Sequence, residues 1–410
     1  MADVKRTVDA LWRIESARIV GTLARVTGDL GLAEDLAQEA VVDALAQWPE
    51  SGIPQNPGAW LTAVAKRKAI DAWRRRDRLD DRYRALAHEL DDSVAGADAW
   101  QPIGDDVLRL VFTACHPVLS REAQVALTLR VVGGLTTEEI ARLFLVPVAT
   151  VQQRITRAKK TLGAAKVPFE APDPAEWRAR LGSVLGVVYL VFTEGYAATS
   201  GDRWIRAELA EEALRLGRVL AALVPREPEV HGLVALMELQ ASRFGARVNA
   251  SGEPILLADQ DRTRWDHSQI ARGIAVLARA DGLGRGRGPY ALQAAIAECH
   301  AIAPSVDGTD WARIVLLYEA LGRIAPNPVV DLNRAVAVSM ATGPASALAI
   351  VDRIVDDGSL RGSYLLPSVR GELLTRLGRR DEARSELATA AALAANTRER
   401  DVLLAKIAAL

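Results

Sequence analysis

The chain has 410 residues, half of them apolar and a quarter charged, which is long enough for two or three domains with their own cores and too apolar for intrinsic disorder. Its two cysteines, Cys115 and Cys299, lie far apart with no CxxC or CxxxC partner, so neither a disulfide framework nor a zinc site is indicated. The net charge of -1 argues against a uniformly basic nucleic-acid binder, but it conceals two local stripes.

The first segment reads as two helices. Leu11, Ile14, Ile19, Leu23 and Val26 fall near helical spacing, as do Leu32, Leu36, Ala40 and Ala44, with Gly28, Asp29 and Gly31 between the two sets. A proline-containing loop from Trp48-Pro49 to Asn56-Pro57 precedes a third helix, expected from Pro57 to Arg76 with Trp60, Leu61, Val64, Ile70 and Trp73 on its apolar face. This helix carries the first stripe: Lys66, Arg67, Lys68, Arg74, Arg75, Arg76 and Arg78 against Asp71 and Asp77, a local excess of five positive charges. Trp60 and Trp73 invite a base-stacking role, yet their spacing with Leu61, Val64 and Ile70 favours core positions.

From 79 to 104 the periodicity dissolves into an acid-rich linker that contains Asp80, Asp81, Glu89, Asp91, Asp92 and Asp98. Helical spacing returns with Val107, Leu108, Val111 and Phe112, then Val125, Leu127, Leu129 and Val132, and Gly133-Gly134 stops it. Thr136 and Glu139 have the spacing of a capping box at the start of a short helix, and Pro147 ends that helix. The next helix places Val151, Ile155, Ala158 and Leu162 on one face, leaving Gln152, Gln153, Arg154, Thr156, Arg157 and Lys160 outward. A short helix, a tight turn and a basic second helix spell a helix-turn-helix.

Beyond Pro168 to Pro174 the composition shifts to an Ala/Leu-rich helical array without a basic stripe. Asn327 to Leu360 and Ser363 to about Arg398 look like successive helix pairs of about 35 residues, with Gly343 and Gly378 at the turns, a period like that of a tetratricopeptide repeat. Gly282, Gly284, Gly286 and Gly288 follow no strand and alternate with Arg, so a loop is expected rather than a phosphate cradle. Asp259, Asp261 and Asp266 beside Arg262 and Arg264 suggest a salt-bridged packing corner. The five histidines show no ligand spacing, so no metal, no cofactor and no catalytic set is expected. The charged N-terminus offers no signal-peptide core, and the apolar stretch from Leu181 to Thr193 is too short for a bilayer, which implies a reducing, cytoplasmic setting.

The motifs Ala33-Glu34-Asp35-Leu36-Ala37-Gln38-Glu39-Ala40, Asn56-Pro57-Gly58-Ala59-Trp60-Leu61 and Ala69-Ile70-Asp71-Ala72-Trp73-Arg74-Arg75-Arg76, followed by the helix-turn-helix, resemble the extracytoplasmic-function sigma factors in content and order. The resemblance covers about residues 10 to 165. The long extension, with its Asp259 to Asp266 segment and Asn333-Arg334-Ala335-Val336-Ala337, is similar to the subgroup that carries tetratricopeptide-like repeats. The chain departs from the family pattern at Arg67, where Asn is usual, and at Leu145, where the turn usually has Gly.

The resemblance implies an all-α protein that performs no bond chemistry. Its parts would be a sigma region 2 over 1–78, the acidic linker over 79–104, a region 4 helix-turn-helix over 105–168 and a helical-repeat extension over 169–410. It implies three partners: core RNA polymerase through its clamp and flap, promoter DNA, and a regulatory protein on the extension. Asp35, Gln38 and Glu39 would meet the polymerase, although a solvated helix face is the plain alternative. Lys66, Arg67, Arg74, Arg75 and Arg76 would lie along the minus-ten element, and Thr150, Gln152, Gln153, Arg154, Arg157, Lys159 and Lys160 along the minus-thirty-five element. A ligand- or peptide-responsive helix-turn-helix regulator would also explain residues 135 to 410, but it leaves the first 78 without a purpose.

Overall fold

The computed structural model describes residues 2–75, 105–144, 146–173, 175–196, 205, 207–249 and 253–410. Among these there is no strand, only one isolated bridge between Val248 and Pro254, so the fold is all-α as expected. The chain divides into two units, 1–188 and 189–410.

The first unit opens with α1 (Ala2–Thr27) and α2 (Leu30–Ser51). The break falls where the sequence places it: Gly28 takes a left-handed φ of 66°, and the Asp29 side chain caps α2 by accepting from the backbone N–H groups of Gly31 and Leu32. Helix α2 runs through Pro49 to Ser51, further than the expected loop at Trp48. The fully buried Trp48 anchors this last turn, so packing overrides the local cost of proline. Helix α3 (Pro57–Arg75) starts at Asn56, whose Oδ1 accepts from the N–H of Ala59. Its most buried face is Leu61, Ala65 and Ala69, with Trp60, Val64 and Ile70 only half-buried, so the interhelical contact is closer and narrower than the larger residues implied. Trp60 meets Trp48 edge-on at 5.3 Å between ring centroids, a packing contact within the first unit.

Four shorter helices follow: α4 (Asp105–Ala114), α5 (Arg121–Val131), α6 (Thr137–Phe144) and α7 (Val148–Ala164). Helix α4 packs on α1, and Gly21 makes that approach possible, because a Cβ there would sit 2.9 Å from the Asp106 carbonyl oxygen. Arg25 and Asp106 add an ion pair at 3.1 Å beside the contact. The acidic linker and the Leu145 turn position lie outside the described residues.

Helix α8 (Trp177–Tyr196) leads into the second unit, which continues with α9 (Ala207–Leu223), α10 (Pro228–Ala241), α11 (His267–Gly282), α12 (Pro289–Ile302) and α13 (Trp311–Ile324). The last five helices are α14 (Pro328–Thr342), α15 (Pro344–Asp356), α16 (Leu365–Arg376), α17 (Arg380–Leu393) and α18 (Thr397–Ala408). Helices α14 to α17 are the two pairs expected from the repeat, and each pair turns on its glycine, Gly343 at φ 102° and Gly378 at φ 75°. Ala347 and Ala383 follow those turns fully buried, in one core with Leu332, Val351, Leu373 and Leu374. An isolated helix pair cannot bury both of its apolar faces, so neighbouring pairs share that core.

No described helix is long and apolar enough to cross a membrane. Cys115 and Cys299 are buried, and burial pushes the Cys115 thiol up to about 11, where it stays protonated and unreactive.

Candidate nucleic-acid interface

The helix-turn-helix forms by the local chemistry read from its sequence. The Thr136 N–H donates to Glu139 Oε2 at 2.8 Å and the Glu139 N–H donates to Thr136 Oγ1 at 3.1 Å, a reciprocal capping box that starts α6. Pro147 precedes α7 with φ of -58°, and Val151, Ile155, Ala158 and Leu162 are the buried residues of that helix, as their spacing requires. Helix α5 supplies the opposing apolar surface with Val125, Leu127 and Leu129.

The other face of α7 is polar. Gln152, Gln153, Arg157 and Lys160 are exposed, and Thr150 and Arg154 are half-buried at its edge. Gln and Arg at the outer face of a second helix are the side chains that pair with adenine and guanine edges in a major groove, whereas Lys suits phosphate.

Lys159 is held differently. Its Nζ bonds to Glu34 of α2 at very short range and lies 3.5 Å from Asp35, while Arg130 Nε donates to the other Glu34 oxygen at 2.7 Å. Glu34 is only 4% exposed. Burial by itself raises the pKa of this carboxyl, but Arg130 and Lys159 together outweigh burial and hold it below the usual glutamate value. Sequence reasoning missed Glu34 and Arg130 as partners. The signal was present, because Glu34 sits four residues after Leu30 and three before Ala37, on the buried side of α2.

Asp35, Gln38 and Glu39 come to one side of α2, with Asp35 and Glu39 exposed and Gln38 half-buried. Glu39 and Asp43 receive Lys68 of α3 at 3.3 and 3.0 Å, and hydrogen bonding to Asp43 raises the lysine pKa. Of the α3 stripe, Arg67 is exposed and Lys66 half-buried, with its pKa lowered by burial and by Arg25. Arg74 and Arg75 fall on the last turn of α3, while their side chains and Arg76 lie outside the described residues. The structure therefore places the residues expected to meet the polymerase and the minus-ten element on two packed helices, and those expected to read the minus-thirty-five element on a third.

In the second unit the expected salt-bridged corner takes another form. Asp261 accepts from the N–H of Thr263, Asp266 caps α11 by accepting from the N–H of Gln269, and Arg262 donates to the carbonyls of His300 and Ala303. Among the described residues, neither Arg262 nor Arg264 is ion-paired with Asp259, Asp261 or Asp266, and the carboxylates of Asp261 and Asp266 are taken by nearby backbone donors. The glycine-rich segment turns through Gly284 and Gly286 at positive φ, and Arg287 pairs with Asp281 at 2.7 Å. No group of three His, Cys, Asp or Glu among the described residues could hold a metal ion.

Three families match the chain: sigma-70 region 2 over residues 11–79, sigma-70 region 4 over 109–162 and a family of unknown function over 180–281. An uncharacterised protein of Rhizobium meliloti is 45% identical over 392 residues, which is 93% of this chain and 90% of the relative. The probable ECF RNA polymerase sigma factor SigI of Mycobacterium tuberculosis is 31% identical over 200 residues, 48% of this chain and 64% of SigI. The RNA polymerase sigma-H factor of Pseudomonas aeruginosa is 29% identical over 172 residues, 40% of this chain and 89% of that factor. No solved structure matches.

Proposed function

Because the chain belongs to the extracytoplasmic-function family of RNA polymerase sigma factors, we propose that it binds core RNA polymerase, carries it to a promoter and helps open the duplex, under the influence of its helical extension. The observation that carries this reading is the α6–α7 helix-turn-helix, with four apolar residues of α7 buried and Gln152, Gln153, Arg157 and Lys160 presented on its outer face.

In this reading residues 105–168 read the minus-thirty-five element and residues 1–78 serve core binding and the minus-ten element. Asp35, Gln38 and Glu39 of α2 face the polymerase clamp, and Lys66, Arg67, Arg74, Arg75 and Arg76 neutralise phosphates beside the melted segment. The factor makes and breaks no bonds itself. It shifts the duplex toward the open form by binding that form more tightly, and the polymerase supplies the chemistry. The extension over 169–410 acts as a docking surface for a regulatory protein, as the stacked helix pairs of repeat arrays do.

Reconstituted transcription with core enzyme on promoters of the same genome tests the reading. The expected result is initiation at a defined site that depends on the factor. Specific promoter binding by the chain alone, with no affinity for core enzyme, would instead make it a helix-turn-helix regulator.

A further inference from the structure

Region 2 and region 4 pack on each other within the first unit along a seam with two contacts. At the first, α4 of region 4 lies on α1 of region 2. The approach depends on Gly21, where a Cβ would meet the Asp106 carbonyl oxygen at 2.9 Å, and Arg25 pairs with Asp106 at 3.1 Å beside it. Glycine is among the poorest residues for a helix interior, yet Gly21 stands inside a helix that runs from Ala2 to Thr27. The seam accounts for it, because only a residue without a Cβ lets the Asp106 backbone come this close.

At the second contact the buried carboxylate of Glu34 in α2 takes Arg130 of α5 at 2.7 Å and Lys159 of α7. Both of these cations come from across the seam. Asp35, the next residue, lies 3.5 Å from the same Lys159. Lys159 cannot neutralise a phosphate while it neutralises Glu34, and it sits beside the edge of α2 that is assigned to the polymerase.

The packed arrangement is too short to read a promoter at two places. Helix α3 packs on α2, and α7 is bonded to α2 as well, so α3 and α7 are two helix spacings apart, on the order of 20 Å. Elements named for positions about 25 base pairs apart are separated by about 85 Å of duplex, at about 3.4 Å per base pair. A duplex of that length is far below the persistence length of about 150 base pairs and does not fold back to close the gap. Reading both elements at once therefore requires α7 to leave α2. The sequence between the two regions, 79–104, has a contour length of about 90 Å, which permits that separation.

Opening also costs little. A buried ion cluster gains small net stability, because dehydrating its charges offsets most of their attraction. When α7 leaves, Glu34, Arg130 and Lys159 all return to water, whereas deleting one of them from the closed form strands the others. Such a cluster specifies one closed geometry without making it permanent.

We propose that Glu34 is the latch of a closed resting state, in which region 4 is held against region 2 and the factor cannot span a promoter until core RNA polymerase draws the two apart. This role for Glu34 rests on the sigma-factor reading of α2, α3 and α7.

Dyes on the full chain at Ala10→Cys in α1 and Ala164→Cys at the end of α7, both exposed positions, report the separation by energy transfer, while the buried Cys115 and Cys299 stay unlabelled. The free chain should show high transfer, and core RNA polymerase with promoter DNA should abolish most of it. Glu34→Gln should lower transfer without polymerase and tighten core binding several-fold, because less of the population must first open. Gly21→Ala wedges the other contact while favouring the α1 helix, so it should act in the same direction even where Glu34→Gln is poorly folded. Glu50→Gln removes an exposed carboxylate from the same α2 and should leave transfer as in the native chain. Low transfer in the free native chain, or equal transfer in the native chain and both seam variants, overturns the closed state. Transfer that stays high in a core complex overturns the latch and keeps the sigma-factor reading, whereas no core binding by any form fails that reading and the latch with it.

Discussion

Lys159, near the end of the recognition helix, is bonded to Glu34 of α2, immediately beside the exposed Asp35 assigned to the polymerase. Glu34 holds Arg130 with its second oxygen, so one buried carboxylate ties α2 to both α5 and α7. A lysine expected to anchor phosphate is thus occupied within the protein, and α2 is clasped to the helix-turn-helix by the same residue.

Replacing Glu34 by Gln should therefore loosen the first unit. Removing one partner of a buried ion pair costs about 3 kcal/mol, because the remaining charges stay desolvated. Lys159→Ala leaves the Arg130 pair in place and should cost distinctly less. Urea denaturation of the full chain measures both, and equal stability of Glu34→Gln and the native chain would show that the clasp contributes nothing. The folded-state pKa of Glu34 is depressed, so its contribution is complete above the ordinary glutamate range and disappears as pH falls through the lowered value.

Opening the clasp should also change DNA binding. In Glu34→Gln the Lys159 ammonium is released, and the salt dependence of promoter affinity should steepen by about 0.9 in log-log slope for one added phosphate contact. Fluorescence anisotropy with a labelled promoter fragment across a salt series reads this slope. An unchanged slope would place Lys159 away from DNA in the bound state.

The outer face of α7 should divide into readers and anchors. Arg157→Ala or Arg154→Ala is expected to cost about 1 to 3 kcal/mol on the cognate site and to relax preference at one base pair. Lys160→Ala should weaken all sequences alike and reduce the salt slope by about 0.9. Competition binding against single-base variants of the site separates the two, and equal losses on every sequence for all three would reduce α7 to an electrostatic clamp.

The two helices of the helix-turn-helix were legible in the sequence because their determinants are local: a capping box three residues apart, a proline, and apolar spacings of four, three and four. The repeat pairs were legible for the same reason, through Gly343 and Gly378. The end of α2 was not, since its continuation past Pro49 depends on Trp48 being buried by other helices. The clasp escaped because Arg130 lies 96 residues and Lys159 125 residues from Glu34, and charge alone does not specify such partners. At the Asp259 to Asp266 segment the charges suggested ion pairs, whereas nearby N–H groups claimed Asp261 and Asp266 and distant carbonyls claimed Arg262.

The capping box gives a direct test of that local logic. Thr136→Ala removes the acceptor for the Glu139 N–H and should destabilise the helix-turn-helix by about 1 kcal/mol. Thr136→Ser retains the oxygen and should behave like the native chain. Hydrogen exchange at the first turn of α6 monitors the effect, and equal protection in Thr136→Ala and the native chain would show that packing alone defines the start of this helix.

His300 should make the extension acid-sensitive from about pH 6.5 downward. Burial, and after it the positive charges of Arg243 and Arg262, push its pKa down from 6.5 to about 4, and the ring packs edge-on against Trp311 at 5.2 Å. A histidine with a depressed folded-state pKa stabilises the fold fully above its unfolded value, and that stability is lost progressively as pH falls from 6.5 toward 4. Between pH 7 and 5 the loss from this one group amounts to about 2 kcal/mol, at about 1.4 kcal/mol per pH unit below 6.5. Denaturant unfolding in phosphate-free buffer at both pH values measures it. His300→Gln removes the titration, so the variant should lose less stability than the native chain over the same interval, even if it starts lower. Parallel losses in the two proteins would mean that His300 is protonated without penalty.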